Sequence, residues 1–297
     1  MAGALPISAN EFIERHINTS LTEVEQAFDC DALCMVGALT DGVDDLFRAV
    51  IEERRQRADS RDHLAVILTT NGGYIEPVQR IVDTIRHHYA HIIFIIPNYA
   101  FSAGTILAMS GDDIYMDYYS RLGPIDPQVQ TDRGQSVPAL GYLVQWERLL
   151  KKAKKGTLTL VEAQLMIEGF DQAALYGYEQ ARELSITLLK EWLAAYKFKN
   201  WTVTETQRRP VTSQMKKKRA EEIARELNNT DRWHSHGYGI SMAVLQNDLN
   251  MKIADLVLAQ KRQSSMVVWR QNEQQRGRSS PAETDRNDAV PIMLKEV

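Results

Sequence analysis

The chain has 297 residues, of which 44% are hydrophobic and 25% charged, with 9 prolines and 16 glycines. This composition is typical of a globular protein and is long enough for one domain with appendages or for two domains. The formal net charge of -4 provides no overall positive field that attracts nucleic acid or an anionic membrane. We therefore expect neither as a partner.

The termini and the cysteines carry no targeting or metal signal. The first eight residues lack a basic segment followed by an apolar run, and the longest apolar run, residues 92–96, is too short to span a bilayer. Cys30 and Cys34 are the only cysteines, and a structural zinc site needs two more matched ligands. We expect a soluble cytoplasmic protein with buried free thiols, no metal and no cofactor.

Helical and strand patterns alternate through the first 120 residues. Apolar residues recur at helical spacing over residues 10–28, where Thr19-Ser20 is a possible interruption or the cap of a second helix. A short strand at 32–39 follows, and helical spacing returns at 43–57. Strand 63–68, helix 75–88 and strand 92–96 then form a strand–helix–strand unit. A helix at 102–109 and a strand at 113–116 follow. Strands without alternation are typical of a parallel sheet covered on both faces, so we predict an α/β fold.

After residue 118 the pattern changes to loops and helices. Residues 120–128 are a turn-rich segment and 131–136 a polar loop, and Ser241 can cap a helix that reaches residue 249. Four segments have helical periodicity: 140–155, 160–167, 173–197 and 214–228. We interpret residues 1–60 as part of the same domain as an α/β core at 61–130, and 131–260 as a largely helical part that completes it. Residues 270–297 form a polar tail that we expect to be disordered up to about residue 288.

Three charged clusters are interpreted as surface features. Residues 52–57 and the basic run 216–219, which precedes two glutamates, have the pattern of solvated helix faces. His87, His88 and His91 are close in sequence, but their spacing runs from a helix end into a strand and no adjacent carboxylate completes a metal set. We expect no nucleic-acid or metal site from them.

The segment 97–109 places Ser102 between a strand and a helix, where the amides of Ala103 and Gly104 point outward. Gly72-Gly73, at the end of an earlier strand, supplies a second exposed amide because glycine lets another backbone approach closely. A serine nucleophile requires a base and a pair of amides for the oxyanion. Spacing alone leaves a second reading open, in which Ser102 caps the helix and the glycines form a turn.

Three motifs together resemble the serine dehydrogenase proteinase family: Asn71-Gly72-Gly73, residues 97–105, and residues 122–128. A weaker likeness occurs at residues 233–249. That family is grouped with signal peptide peptidase A and the proteolytic subunit of the Clp protease in the crotonase-like fold. The resemblance implies a crotonase/Clp-like core, Ser102 as nucleophile, the amides of Gly73 and Ala103 as oxyanion hole, and Gly72 beside the substrate.

The general base is open. The place where Clp-type peptidases carry a histidine after isoleucine holds Asp126, so a triad in that arrangement is excluded. Signal peptide peptidase A uses a lysine about fifty residues after its serine, which favours Lys154 among four lysines provided that burial or a neighbouring cation lowers its pKa. His236 is the rival base because histidine titrates near neutrality. Asp126 either orients the base or holds its own loop. The four lysines are Lys151, Lys152, Lys154 and Lys155.

The first functional hypothesis is a soluble serine peptidase that cleaves peptides or unfolded protein segments. The alternatives are a catalytically inactive scaffold or regulator of the same fold, and a crotonase-type acyl-CoA enzyme, which uses the two amides without a nucleophilic serine. We also expect a homo-oligomer, both from the resemblance and because the amphipathic helix at residues 12–28 needs a partner surface. A separate unfoldase or regulatory partner is consistent with the absence of a nucleotide-binding loop.

Overall fold

The structure is a computed structural model that describes residues 9–125, 128–130, 136–204 and 207–257. The expected disordered tail at 270–297 and Asp126 lie outside these residues. The helices and strands are, in chain order, α1 (Ala9–Phe28), β1 (Asp31–Val36), α2 (Val43–Gln56), β2 (His63–Thr69), α3 (Ile75–His88), β3 (His91–Ile95), β4 (Tyr99–Ala100), α4 (Ala103–Met109), β5 (Asp113–Met116), β6 (Arg121–Leu122), β7 (Gln128–Gln130), β8 (Ser136–Pro138), α5 (Ala139–Lys154), α6 (Leu160–Glu168), α7 (Gln172–Trp192), α8 (Ser213–Leu227), α9 (Thr230–Trp233), β9 (Ile240–Ser241), α10 (Met242–Asn247) and β10 (Ala254–Asp255).

A five-stranded parallel sheet with the order β1-β2-β3-β5-β10 forms the centre of the fold. Alternate residues of β2 enter different clusters: Leu64, Val66 and Leu68 belong to the main core, whereas Ala65 and Ile67 belong to a second one. Since successive side chains of a strand point to opposite faces, both faces are covered. The predicted α/β class with a doubly covered parallel sheet is confirmed.

The two faces are covered by different helices. The main core takes buried side chains from α2, α3 and α4, such as Phe47 and Ile81. The opposite face packs on α1 through Leu21 and Val24. The second half of α1 therefore buries its apolar stripe on the chain's own sheet, whereas Phe12 and Ile13, in its first half, are exposed.

The helices of the second half divide into two groups. Residues of α7 and α8, including Leu189, Ile223 and Leu227, join the main core. In contrast, α5 packs on α6 and α7 through a separate small cluster around Leu143 and Leu175. The end of α7 continues as a π-helical turn, Leu193–Lys197. The mainly helical second half thus contains one part fused to the sheet and one part attached through α7.

Sequence periodicity located the long elements and missed the short strands. One unbroken helix covers Ala9–Phe28, with no interruption at Thr19-Ser20. The strands β4, β6, β9 and β10 have two residues each, which is too short for a repeat to show in the sequence. The antiparallel strands β7 and β8 each begin at the last residue of a segment expected to be a loop, 120–128 and 131–136. No helix in the described part of the chain is long and apolar enough to cross a membrane.

The amino-terminal edge of the sheet contains buried ion pairs. Arg54, expected on a solvated helix face, is 8% exposed and lies 2.8 Å from Asp31 at the start of β1, so that expectation was wrong for this residue. Its guanidinium also lies 3.6 Å from Glu25. A second pair joins Arg86 to Asp112 at 2.7 Å, just before β5.

Candidate active site

Ser102 lies at a sharp turn between β4 and α4, with φ 52° and ψ -122°. Positive φ is uncommon for a residue with a side chain and carries local strain. The Ser102 carbonyl accepts the first helical bonds, from the amides of Thr105 (2.9 Å) and Ile106 (3.3 Å). Its hydroxyl makes no helix-capping hydrogen bond. The Ser102 side chain therefore does not cap α4, which was the alternative that spacing left open.

The strand end before Ser102 is fixed to the end of β2. Thr70 donates its amide to the Tyr99 carbonyl (3.1 Å) and accepts from the Phe101 amide (2.9 Å), which makes a parallel bridge to Ala100. A Cβ at Gly104 would lie 2.3 Å from Thr70 Cγ2, so the start of α4 packs directly on this threonine. The two sequence motifs are thus held side by side at the carboxyl end of the sheet, where α/β proteins place their ligands.

Gly72 lies against the serine itself. It has φ 96°, and a Cβ there would lie 2.8 Å from Ser102 Cβ and 2.6 Å from the Phe101 carbonyl oxygen. Gly73 has φ 154°, and its Cβ would lie 2.1 Å from the carbonyl oxygen of Leu39. Any side chain at either position would collide with backbone or with Ser102, so both glycines are required for this approach.

Two amides beside Ser102 have no acceptor among the described residues: those of Gly73 and Ala103. Gly72 accepts from the Leu39 amide (2.9 Å) and Tyr74 donates to the Leu39 carbonyl (2.8 Å). In such a parallel bridge the amide of the residue between them points to the opposite side. Ala103 is the first residue of α4, where the amide has no partner within the helix. The structure thus brings Ser102, Gly72, Gly73 and Ala103 together.

Thr105 connects this turn to the next loop. Its fully buried hydroxyl lies 2.8 Å from the Ala100 carbonyl oxygen and 3.0 Å from that of Gly123, and it accepts from the Gly123 amide at 2.9 Å. A Cβ at Gly123 would lie 2.7 Å from the Phe101 ring. The loop that leads to residue 126 is therefore fixed against the serine turn through one hydroxyl. Sequence reasoning did not single out Thr105, because a threonine inside a helix carries no motif of its own.

The register of the small sheet relates His236 to Ser102. Ala100 of β4 pairs with Leu122 of β6 in parallel, and Leu122 pairs with Ile240 of β9 in the antiparallel sense. Residues after Ala100 and residues before Ile240 therefore lie at the same end of this sheet. His236 is partly buried in a turn at that end, closed by the Tyr238 amide on the Ser235 carbonyl at 3.1 Å. The turn that carries His236 therefore leads into the end of the small sheet from which Ser102 leaves.

The lysines around residue 154 are exposed. Lys154 is the last residue of α5, and no hydrogen bond or ion pair in the described part of the chain joins it to Ser102. Lys151 and Lys155 are also exposed, and Lys152 pairs with Glu162.

A different lysine, Lys197, is partly buried. Burial lowers the pKa of Lys197 to about 8, with Lys252 acting in the same direction and Asp113 and Asp112 opposing it. Its ammonium donates to the Asp112 carbonyl at 3.2 Å. Asp112 precedes β5 and so lies at the amino end of the sheet, opposite to Ser102. Lys197 therefore belongs to the structural network there, and no signal in the sequence distinguishes it from other helical lysines.

Metal binding finds no support in the part of the structure that is described, which contains no cluster of three or more suitable side chains. His88 ends α3 and His91 begins β3, as their spacing predicted. Contrary to expectation, a carboxylate does lie near His91: the Nε2 atom of His91 is 3.1 Å from Asp113 Oδ2. A second carboxylate, Asp112, lies 3.8 Å from the other ring nitrogen of His91.

A family comparison agrees with this arrangement. The family described as ClpP-like SDH-type serine proteinase matches residues 43–209, which is more than half of the chain and includes Gly72, Gly73, Ser102 and Ala103. The chain belongs to this family. The resemblance stated from three short motifs is thereby confirmed, together with a ClpP-like α/β fold.

Two curated relatives, both uncharacterised proteins of Methanocaldococcus jannaschii, match part of the chain. MJ1495 is 35% identical over 127 residues, 40% of this chain and 42% of its own length. MJ0137 is 33% identical over 153 residues, 48% of this chain and 52% of its own length. The chain thus spans about half the length of these relatives.

Among solved structures, two mutants of the membrane-bound stomatin-specific protease 1510-N are similar to this chain. One has a TM-score of 0.45 at 15% identity and covers 77% of this chain and 81% of its own. The other, in complex with a substrate peptide, has a TM-score of 0.44 at 14% identity and covers 75% and 74%. At this level of likeness neither structure assigns a role to a residue of this chain.

Proposed function

We propose that this chain is a serine peptidase that cleaves peptides or unfolded protein segments through Ser102. One observation carries the proposal: a strained serine, packed against Gly72, stands between two amides that have no acceptor among the described residues, those of Gly73 and Ala103. Pairs of such donors stabilise the oxyanion of acyl transfer. Membership of a serine proteinase family supports the same reaction class.

In the proposed reaction the Ser102 oxygen attacks the carbonyl carbon of the scissile peptide while a base takes the hydroxyl proton. The carbonyl oxygen becomes an oxyanion between the Gly73 and Ala103 amides. The base then gives its proton to the leaving amine, and water hydrolyses the acyl-enzyme by the same steps in reverse. Gly72 leaves room for the substrate backbone because it has no side chain.

We propose His236 as the base, since it lies at the Ser102 end of the small sheet. Asp126, one residue beyond the loop that Thr105 holds, is proposed to orient the base. Lys154, exposed at the end of α5, is the alternative base. The two candidates make different predictions for single substitutions.

A fluorophosphonate probe tests the nucleophile on the full chain. We expect the native protein to be labelled and Ser102→Ala to take no label, with cleavage of an unfolded protein, read by mass spectrometry, lost in parallel. If the native protein neither labels nor cleaves, the peptidase proposal is wrong and the inactive scaffold is favoured. Turnover of an acyl-CoA thioester without labelling would instead support the crotonase-type reaction.

The base is tested by comparing labelling rates as a function of pH. We expect His236→Gln to lower the rate by about 100-fold or more, within the range for a lost general base. His234→Asn is the matched control, because His234 is exposed and asparagine tolerates its φ of 58°. If Lys154→Ala loses labelling while His236→Gln and Lys155→Ala keep it, Lys154 is the base.

A further inference from the structure

The small sheet of β4, β6 and β9 has one face in the core and one face outside it. On the core face, one residue of each strand is fully buried, and the three are paired in register: Ala100, Leu122 and Ile240. Successive side chains of a strand point to opposite faces. The other face, called here the outer face, therefore carries their partly exposed neighbours, Tyr99, Arg121 and Ser241, which are also paired.

Phe101 connects the outer face to the serine turn. It lies two residues after Tyr99 and so on the same side of the strand, and the two rings stack with their centroids 5.1 Å apart and an interplanar angle of 16°. Gly123 leaves space for this ring, since a Cβ there would lie 2.7 Å from it. The three residues from Tyr99 to Ser102 span about 10 Å. The outer face thus begins directly beside the proposed nucleophile.

The side chain of Arg121 lies across the outer face, over Gly239. A Cβ at Gly239 would lie 2.8 Å from Arg121 Cδ and 2.9 Å from its Cγ. The Nη1 atom of Arg121 donates to the carbonyl oxygens of Tyr118 and Ser120, both at 2.8 Å. These bonds hold the guanidinium in place. They leave its Nε and Nη2 donors without an acceptor among the residues that the structure describes.

The charge of Arg121 has no carboxylate near it in the described part of the chain. Every other arginine there that is partly or fully buried lies within 3.8 Å of a carboxylate oxygen, as Arg61, Arg86 and Arg232 do. A cation held partly out of water is costly unless an anion compensates it. The Nε and Nη2 groups of a guanidinium point the same way and match the two oxygens of a carboxylate. Arg121 therefore has both the donors and the uncompensated charge that a carboxylate ligand needs.

We propose that Arg121 binds a carboxylate of the peptide substrate and so makes the chain prefer acidic peptides. This specificity rests on the proposed peptidase reaction, because it assumes that the scissile bond lies at Ser102. An extended peptide covers about 10 Å in three residues, so the carboxylate lies about three positions from the cut. The Tyr99 and Phe101 rings pack against the residues between. The carboxylate belongs to an Asp or Glu side chain or to the end of the peptide, and the tests below distinguish these sources.

Matched peptides test the specificity on the full chain. One peptide cleaved from an unfolded protein is resynthesised with an amidated end and with Glu or Gln about three positions from the cut, on each side in turn. We expect the Glu form to be cleaved with about tenfold higher kcat/KM, as for a hydrogen-bonded charge pair, mainly through a lower KM. Arg121→Gln should cleave both forms like the native protein cleaves the Gln form. Arg148→Gln, at an exposed position on α5, is the matched control and should keep the native preference.

A purely structural role of Arg121 predicts a different result. If the bonds to Tyr118 and Ser120 are all that matters, Arg121→Gln slows the Glu and Gln peptides equally. Fluorophosphonate, which carries no carboxylate, should label Arg121→Gln at the native rate. Arg121→Lys keeps the charge but loses the paired donors, so we expect a smaller preference for Glu than in the native protein. Equal slowing of both peptides, or a native preference in Arg121→Gln, overturns the proposal.

Binding to Ser102→Ala separates this proposal from the peptidase proposal. Dansyl-labelled octapeptides of alanine and leucine are prepared with one Glu, with one Gln, and with the Gln and a free terminal carboxylate, the first two being amidated. We expect a carboxylate form to bind about tenfold more tightly than the amidated Gln form, measured by fluorescence anisotropy, and Arg121→Gln to remove the difference. The form that gains affinity identifies the source of the carboxylate. Equal binding of all three overturns the proposal, whether or not the native chain cleaves peptides.

Discussion

The two ends of the central sheet are held together by different forces. At the amino end, buried ion pairs such as Arg54 with Asp31 and Arg86 with Asp112 fix the strand starts. At the carboxyl end, close glycine contacts and the Thr105 hydroxyl fix the turn that carries Ser102. The carboxyl end is fixed without using the Gly73 and Ala103 amides, which have no acceptor among the described residues. Charged side chains hold one end, and backbone contacts and one hydroxyl hold the other.

The comparison is most strongly tested by breaking the amino end alone. Arg86→Met leaves Asp112, which is 6% exposed, with Lys199 and the Ile92 amide as its remaining partners, so we expect a loss of about 1.5 to 3 kcal/mol in the free energy of unfolding, as for a lost charged hydrogen bond. Urea denaturation measures this free energy. Arg48→Met is the control, because Arg48 belongs to an exposed ion pair and its loss should change the free energy of unfolding little. Labelling of the folded protein at Ser102 should keep its native rate, and a large loss would show that the two ends are coupled.

The same pair predicts a response to acid. Burial acts to raise the pKa of Asp112, but hydrogen bonds from Lys199, the Ile92 amide and Arg86 outweigh burial and lower it. A lowered carboxyl pKa stabilises the fold above the unfolded-state pKa, and this contribution is lost as pH falls through the folded-state value. Arg86→Met should therefore show a smaller loss of stability on acidification than the native protein.

Breaking the carboxyl end alone should affect chemistry more than stability. In Gly73→Ala the new Cβ collides with the Leu39 carbonyl and displaces the Gly73 amide, so we expect labelling to fall by about 100-fold, as for loss of one oxyanion donor. Gly42→Ala is the control, because Gly42 has φ 86° but nothing within 4 Å of a Cβ. Equal loss of labelling in both variants would mean that backbone strain, and not the amide, is responsible.

Removing the Thr105 hydroxyl should have a smaller effect. Thr105→Val keeps the shape but loses the contacts to Ala100 and Gly123, and we expect kcat to fall by about tenfold with KM nearly unchanged, since a shifted loop misplaces the reacting groups. Thr105→Ser keeps the hydroxyl and should restore most of kcat. If the serine variant is as slow as the valine variant, packing explains the effect and the hydroxyl does not position the site.

The last prediction concerns the pH dependence of stability through Lys197. Its folded-state pKa of about 8 lies below that of an unfolded lysine. The unfolded chain then binds more protons between pH 8 and about 10.5, so stability should rise with pH in that range. The free energy of unfolding is measured by urea denaturation for the native protein and for Lys197→Met at pH 7.5, 9 and 10. The difference between the two proteins isolates the contribution of Lys197. An identical pH dependence in both would contradict it.

Local patterns in the sequence were sufficient for the long elements and for the turn that carries Ser102. Continuous apolar runs predicted β2 and β3, and 3.6-residue spacing predicted α2, α3 and the helices of the second half. The Gly72-Gly73 and Ser102 motifs predicted a pairing of loops that the structure contains. The short strands β4, β6 and β9 were missed because two residues carry no period, although these strands set the position of the His236 turn.

The sequence by itself determined the fold class, the family and the Ser102 turn with its glycine motif, because each depends on neighbours in the chain or on motifs of a few residues. Only the tertiary structure decided which amides have no acceptor among the described residues, that Thr105 holds the loop before Asp126, that Arg54 is buried, and that the His236 turn lies at the Ser102 end of the small sheet. These features depend on contacts between residues that are far apart in the chain. Spacing along the sequence does not encode such contacts.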